Sequence, residues 1–417
     1  MNRMINGLQS RFKNDRAFSI FFCSGVFAGF AAGVQSTIFA NFLYVVYKIS
    51  VTGRGALEFP RELPGFLTIF ILAALAAFTD ARKASIALLM SALGFFGIAL
   101  LSPGYGLLVV WIVVQSFGQH MLMPTNAAIG MNLSRKEEFG RRLGLFSAGG
   151  LFATIFAQVF VLIGFSFLGL SFGVAFMISA VFYAVAAGAV FLIRKEKALQ
   201  HEKDESGNRA KRSVRFVVKK EFTLYYLLSF FNGGRKQVFL TFAPWVLISN
   251  YGYGPEHFAI LAIIVSVASI ITRTAVGRAI DKLGERAVLS AEALMLVVIC
   301  FGYIFSGVLF SHGAAGIIMA ACYVLDSSTS VVEMARSTYV RKVSPRPEYV
   351  TPTLSLGLCV DHSISMTIPV LGGMLWAAAD PVNGYRYVFA CAAVIGLINF
   401  LLATNIKTPD KIAESAE

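Results

Sequence analysis

LYYLLSFFNGGRKQVFLTFAPWVLI, residues 224–248, is long enough to cross a bilayer and carries no charge except one adjacent pair, Arg235 and Lys236. A run of about 20 predominantly apolar residues suffices for a spanning helix. A cation near the bilayer centre costs at least ~2.5–3.5 kcal/mol on insertion scales, so two together call for counter-charges, water or an anionic ligand. The stretch therefore predicts a spanning helix that borders a polar cavity inside a membrane protein.

The rest of the chain agrees. Of its 417 residues 57% are apolar and only 14% charged, with a mean hydropathy of +0.70, far outside the soluble globular range. The apolar runs are too long and too uniform for barrel strands of about 10 alternating residues, so the expected fold is all-α. Spans are expected at 17–47, 57–78, 84–102, 105–131, 143–164 and 168–193, then at 222–248, 255–279, 287–309, 313–335, 350–376 and 385–404. That makes two sets of six.

Lysine and arginine cluster before the first span, at Arg82 and Lys83, from Arg135 to Arg142, in the 194–220 stretch, from Arg278 to Arg286, from Arg336 to Arg346 and in the tail. The alternate loops hold only Lys48, Arg54, Arg61 and Arg386. By the positive-inside rule both termini are cytoplasmic, in a cell-membrane protein. The net charge of +13 is then a topology signal, and nucleic acid is not an expected partner. Cys23, Cys300, Cys322, Cys359 and Cys391 fall in spans at scattered spacing and read as packing residues, with no disulfide framework or metal motif. The first span is too long for a signal peptide.

Residues 194–221 carry ten basic and five acidic side chains and divide an N-terminal bundle, 1–193, from a C-terminal one, 222–417. Just after the most polar part, Phe216, Val217 and Phe222 alternate with lysine and arginine, as in a helix lying on the anionic inner leaflet. A shift of 201 residues lays Asp80 over Asp281 and Gly33 over Gly234, which points to an internal repeat. Parallel repeats place the binding site between halves near the midplane, with alternating access by rocking.

After the eighth span the sequence reads GRAIDKLGER, with Gly277, Asp281, Gly284 and Arg286 in the pattern G-x-x-x-D-x-x-G-x-R. In a loop between two spans this resembles motif A of the major facilitator superfamily. The first-half counterpart, AAFTDARKAS, keeps Asp80, Arg82 and Lys83 but lacks the glycines. The resemblance implies a cytoplasmic gate in which Asp80 meets the start of span 11 and Asp281 the start of span 5. A carboxylate at the positive end of a helix gains roughly 0.3–1 kcal/mol. RKEEFGRRLG after span 4 is similar to the family's basic connector and offers Arg141 and Arg142 to the same latch. Span 5 reads LGLFSAGGLF, with Gly144, Gly149 and Gly150 but no proline, which departs from the antiporter motif. Pro369, Gly372 and Gly373 on span 11 suggest close packing or a kink.

At ~1.5 Å per residue Arg235 lies about 20 Å along its helix, and Gln119, His120, Asp326, Asp361 and His362 fall at similar depth. Gln115, Gln119 and Asn126 form one stripe expected to face the pore, although plain interhelical bonding explains them equally well. Arg235 is the favoured anion ligand because its planar fork holds a carboxylate or phosphate bidentately, with Lys236, Gln237 and Gln35 alongside. The competing reading is that Arg235 or Lys236 simply pairs with Asp326 or Asp361. Asp361, His362, Asp326 and His120 are candidate proton carriers, since desolvation and a nearby cation move a carboxylate's affinity in opposite directions. His120 and His362 read as packing or gating residues rather than metal ligands. Glu333, near the inner surface, is expected to act at the gate by pairing with Arg336. Arg273 either snorkels or, in R-x-x-x-G-x-x-x-D, resembles the carboxylate-binding arginine of monocarboxylate-type carriers.

The expectation is thus a secondary transporter, monomeric, without cofactor, moving a small organic anion together with protons. An exporter or flippase of an amphipathic compound or lipid is the alternative, suggested by 38 phenylalanines. No nucleophile–base pair or phosphate loop supports an enzyme.

Overall fold

The computed structural model describes residues 15–134, 138–193 and 218–406. Apart from short turns, every element among these residues is a helix. Lipid offers backbone N–H and C=O groups no partner, and a helix satisfies them within its own segment. The helices are α1 (Arg16–Val45), α2 (Val51–Ala74), α3 (Asp80–Leu100), α4 (Tyr105–Asn132), α5 (Phe139–Phe167), α6 (Phe172–Phe191), α7 (Thr223–Tyr251), α8 (Pro255–Leu309), α9 (His312–Thr329), α10 (Glu333–Val343), α11 (Val350–Ala379) and α12 (Tyr385–Ala403).

Three of these depart from one helix per span. At Gly284 the backbone takes φ 79° and ψ 167°, so α8 is two spanning arms meeting at a break. That conformation is open to glycine and strained for any residue with a Cβ, which gives the second glycine of GRAIDKLGER its reason. Helices α9 and α10 are joined through a tight 3-10 turn at Ser330–Val332 and form one span. Counted so, the helices make twelve crossings. Nine helices among the described residues are long and apolar enough to span by composition, with α8 contributing two crossings. Helices α2 and α7 fall outside that set, and both carry buried charge.

The second helix begins at Val51 rather than near residue 57. Arg54 and Arg61, expected in a loop, therefore lie within α2, where Arg54 is only 3% exposed. Pro60 and Pro64 sit inside the same helix, as prolines do in membrane spans. The surface anchor expected around residue 222 also changes: Phe222 is fully buried in an apolar cluster with Tyr225, Leu228, Leu289 and Tyr339. Phe216, Val217, Arg135 and most of the 194–221 linker lie outside the described residues.

The chain forms two compact units, Met1–Phe39 with Leu67–Val214, and Ala40–Phe66 with Arg215–Glu417. In the first, α3 is central and packs on α4 and α6. Thr79 caps its start by accepting from the Arg82 N–H at 3.3 Å. Phe95 of α3 stacks on Phe176 and Tyr183 of α6 at 5.8 and 5.7 Å. Gly94 lets α4 approach so closely that a methyl group there would lie 2.5–2.7 Å from Gln115. Gly94→Val is expected to destabilise the protein by about 1–3 kcal/mol through overpacking, seen as a lower Tm in detergent. An unchanged Tm would mean that the seam yields. Gly149 and Gly150 of α5 serve the contact with α1, where the Thr154 hydroxyl donates to the Gly29 carbonyl at 2.9 Å.

In the second unit α7 is the buried hub. Phe239 of α7, Tyr303 of α8 and Phe389 of α12 form an aromatic core, the last two stacked at 4.1 Å. The glycines of α11 serve packing: Gly372 lies against Phe242 of α7, and Gly373 against the Val51 carbonyl of α2.

Candidate functional site

Three consecutive residues of α7 each hand a side chain to a different helix of the second unit. Arg235 donates from Nη1 to Asp326 Oδ1 of α9 at 2.7 Å. Lys236 Nζ reaches Asp361 Oδ2 of α11 at 2.5 Å. Gln237 Nε2 donates to Glu58 Oε2 of α2 at 2.7 Å. Successive residues on a helix are about 100° apart, so the three fan over roughly 200° of its surface. A helix surrounded on three sides can place neighbouring charges in the membrane because each meets its own counter-ion.

Arg235 is also held by the Asn232 side-chain oxygen at 3.3 Å, and its guanidinium lies over the Phe239 ring at 5.7 Å. Its side chain is 7% exposed. Lys236 is the open member of the pair, with 33% of its side chain exposed against 8% for Asp361. Asp361 reaches α7 because Gly233 leaves its place free; a Cβ there would lie 2.8 Å from Oδ1.

Four residues that the sequence reading left as loop charges or passed over extend this centre. Glu58 is fully buried, with Oε1 accepting from Arg54 and Oε2 from Arg61 Nε at 2.7 Å as well as from Gln237. Arg61 also reaches Glu62 at 3.1 Å, and Glu62 Oε2 meets His362 Nδ1 at 3.0 Å. The line Arg54, Glu58, Glu62 follows helical i, i+4, i+8 spacing, a stripe that periodicity could have found. The network sums to zero with His362 neutral: Arg54, Arg61, Arg235 and Lys236 against Glu58, Glu62, Asp326 and Asp361. Both cations of α7 thus have carboxylate partners, as the competing pairing reading expects.

The other expected site residues sit on α1, α4 and α8. On α4, in the first unit, Gln115 is 4% exposed in the seam with Gly94, while Gln119 is exposed and accepts from Gln115 at 3.0 Å. His120 Nδ1 bonds within its own helix to the Ser116 carbonyl at 2.9 Å. Gln35 is half-buried on α1. Arg273 is exposed on α8 and makes no ion pair with the network.

The expected gate residues divide by unit as well. Asp80 binds Lys83 at 3.0 Å and Asn132, at the end of α4, at 3.2 Å, and Arg82 is exposed. Arg142 ties the start of α1 to the end of α4 through Asp15 and the Leu133 carbonyl, the latter at 2.8 Å. Arg141 meets Glu138 at 3.1 Å. In the second unit Asp281 and Arg286 are exposed, Gly277 lies inside α8, and the buried acids of α8 are Glu285 and Glu292. Lys342 pairs with Glu285 at 2.8 Å. Arg336 pairs with Glu292 at 3.5 Å and not with Glu333, which is exposed, because α10 turns Arg336 inward to 6% exposure.

The fold resembles that of solved transporters. A point variant of the nucleoside transporter NupG superposes with a TM-score of 0.74 at 12% identity, covering 94% of this chain and all of that one. A bacterial homologue of the human lysosomal transporter Spinster gives 0.70 at 14%, and a D-xylose–proton symporter 0.69 at 14%, each covering 95% of this chain and 98% of its own. At such identities the likeness is one of fold. No curated protein matches the chain by sequence. The family model described as Major Facilitator Superfamily matches residues 20–360. Because that match takes in most of the spans, the protein belongs to the Major Facilitator Superfamily and is a membrane transporter.

Proposed function

We propose that the protein moves a small organic anion together with a proton by alternating access, across the cell membrane with both termini cytoplasmic. The Lys236–Asp361 pair carries the reading. It joins Lys236, the more open of the two α7 cations, to a buried carboxylate at 2.5 Å.

The charge sum supplies the coupling argument. A substrate carboxylate entering alone would add one uncompensated negative charge to a neutral, low-dielectric centre. If the substrate takes over Lys236 while Asp361 accepts a proton, the sum stays at zero. One ion pair breaks, one forms, and the proton resides on the Asp361 carboxyl. Release to the other side reverses the exchange and re-forms the Lys236–Asp361 pair. Arg235, enclosed by Asp326, Asn232 and Phe239, holds the local frame and is not the direct ligand in this scheme. Glu62 and His362 border Asp361 through its neighbour in sequence and offer the proton an onward site.

A thermal-shift panel of organic acids against purified protein identifies the ligand class. Lys236→Gln should remove the stabilisation by acids, whereas Arg235→Gln should lower stability first. The anion reading is lost if only cations or neutral lipids stabilise the protein and Lys236→Gln leaves that response intact.

A further inference from the structure

We infer that the second unit holds a separate oxyanion site, for a carboxylate or phosphate group, at the end of the bundle opposite Gly284. A cavity of about 450 Å³ opens there between the end of α7, the end of α8, the start of α9 and the α11–α12 turn. No acidic residue lines it. Arg386 does, and among the described residues no side chain or carbonyl accepts a hydrogen bond from its guanidinium; its Nε is buried without a partner. The nearest candidate counter-ion, Asp380, is committed to its own turn. Its Oδ1 accepts from the Val382 and Asn383 N–H groups at 2.7 and 3.0 Å, and its Oδ2 takes the Asn383 amide.

Donors converge at one place on the wall. A methyl group at Gly307 would lie 3.1 Å from the Tyr385 hydroxyl and 3.4 Å from both Arg386 Nη2 and the Tyr251 hydroxyl. Beside Gly307, a guanidinium and two phenols whose hydroxyls also bond each other present a fork and a rotatable O–H donor, which suits an oxyanion. His312 at the start of α9 and Arg386 in the first turn of α12 also bring two positive helix ends to the cavity. Arg386 lies over the Tyr385 ring at 5.8 Å and feels the Asp380 charge, but no carboxylate hydrogen-bonds it, so an anion in the cavity would gain that place. The site shares no residue with the Lys236–Asp361 pair and holds whether or not that pair takes an anion.

The oxyanion can come from solution or from a lipid headgroup, and two arms separate these sources. In detergent, inorganic phosphate is titrated at constant ionic strength with chloride as control, and Tm is read. In nanodiscs, phosphatidylglycerol is compared with phosphatidylcholine. A saturable Tm rise with phosphate assigns a soluble anion; a rise only with phosphatidylglycerol assigns a lipid phosphate. In either case Arg386→Gln and Gly307→Ala should weaken the response about tenfold or more. Gly307→Ala fills the hollow without altering charge, so it decides the matter if Arg386→Gln does not fold. The inference is overturned if neither anion raises Tm in the unaltered protein, or if the rise survives Gly307→Ala.

Discussion

Replacing Glu58 with alanine is expected to destabilise the protein by about 3–5 kcal/mol, the cost of leaving buried charges without their partner. Glu58 is fully buried and is the shared acceptor for Arg54, Arg61 and Gln237. Its loss strands Arg54, which is itself only 3% exposed, and removes the bond that ties α2 to α7. Glu58→Gln keeps the shape but forfeits the charge, so it should recover only part of the loss. The measurement is Tm and monodispersity in detergent. A Glu58→Ala protein that melts like the parent would show that water reaches this centre and that the network adds little.

Asp361→Asn should separate binding from coupling. The asparagine cannot take up a proton at this position, and it no longer competes with a substrate carboxylate for Lys236. Anion affinity should rise about tenfold or more, which corresponds to ~1.4 kcal/mol of removed competition. Accumulation driven by an imposed pH gradient in vesicles should disappear, while exchange of anion for anion continues. A purely structural role would lower both activities together. Retention of gradient-driven accumulation by Asp361→Asn would exclude this carboxyl as the proton carrier.

Much of the architecture was legible along the chain. Apolar runs of bilayer length fix helices because lipid leaves the backbone no other partner, and the spacing of Arg and Lys between them sets the expected topology. GRAIDKLGER was readable as a family motif, and Gly284 within it now has a backbone reason. The charge pair in α7 was visible as a cost, and Asp326 and Asp361 were visible as candidate partners at similar depth.

Which partner each cation takes was not legible. Arg235 and Lys236 are adjacent in sequence but about 100° apart on the helix, so their fates depend on which neighbours pack on which face. That arrangement buries Arg235 and leaves Lys236 partly open, the reverse of the weighting that side-chain chemistry alone suggests. Glu58 and Glu62 were hidden for a related reason. The four charges in VTGRGALEFPRELPGF give no sign of their partners until α7 and α11 are in place to meet them. By itself the sequence determined that this chain crosses the membrane in twelve helices, because hydropathy is a property of each segment. Only the tertiary structure decided which charges meet, because ion pairing depends on packing between segments far apart in the chain.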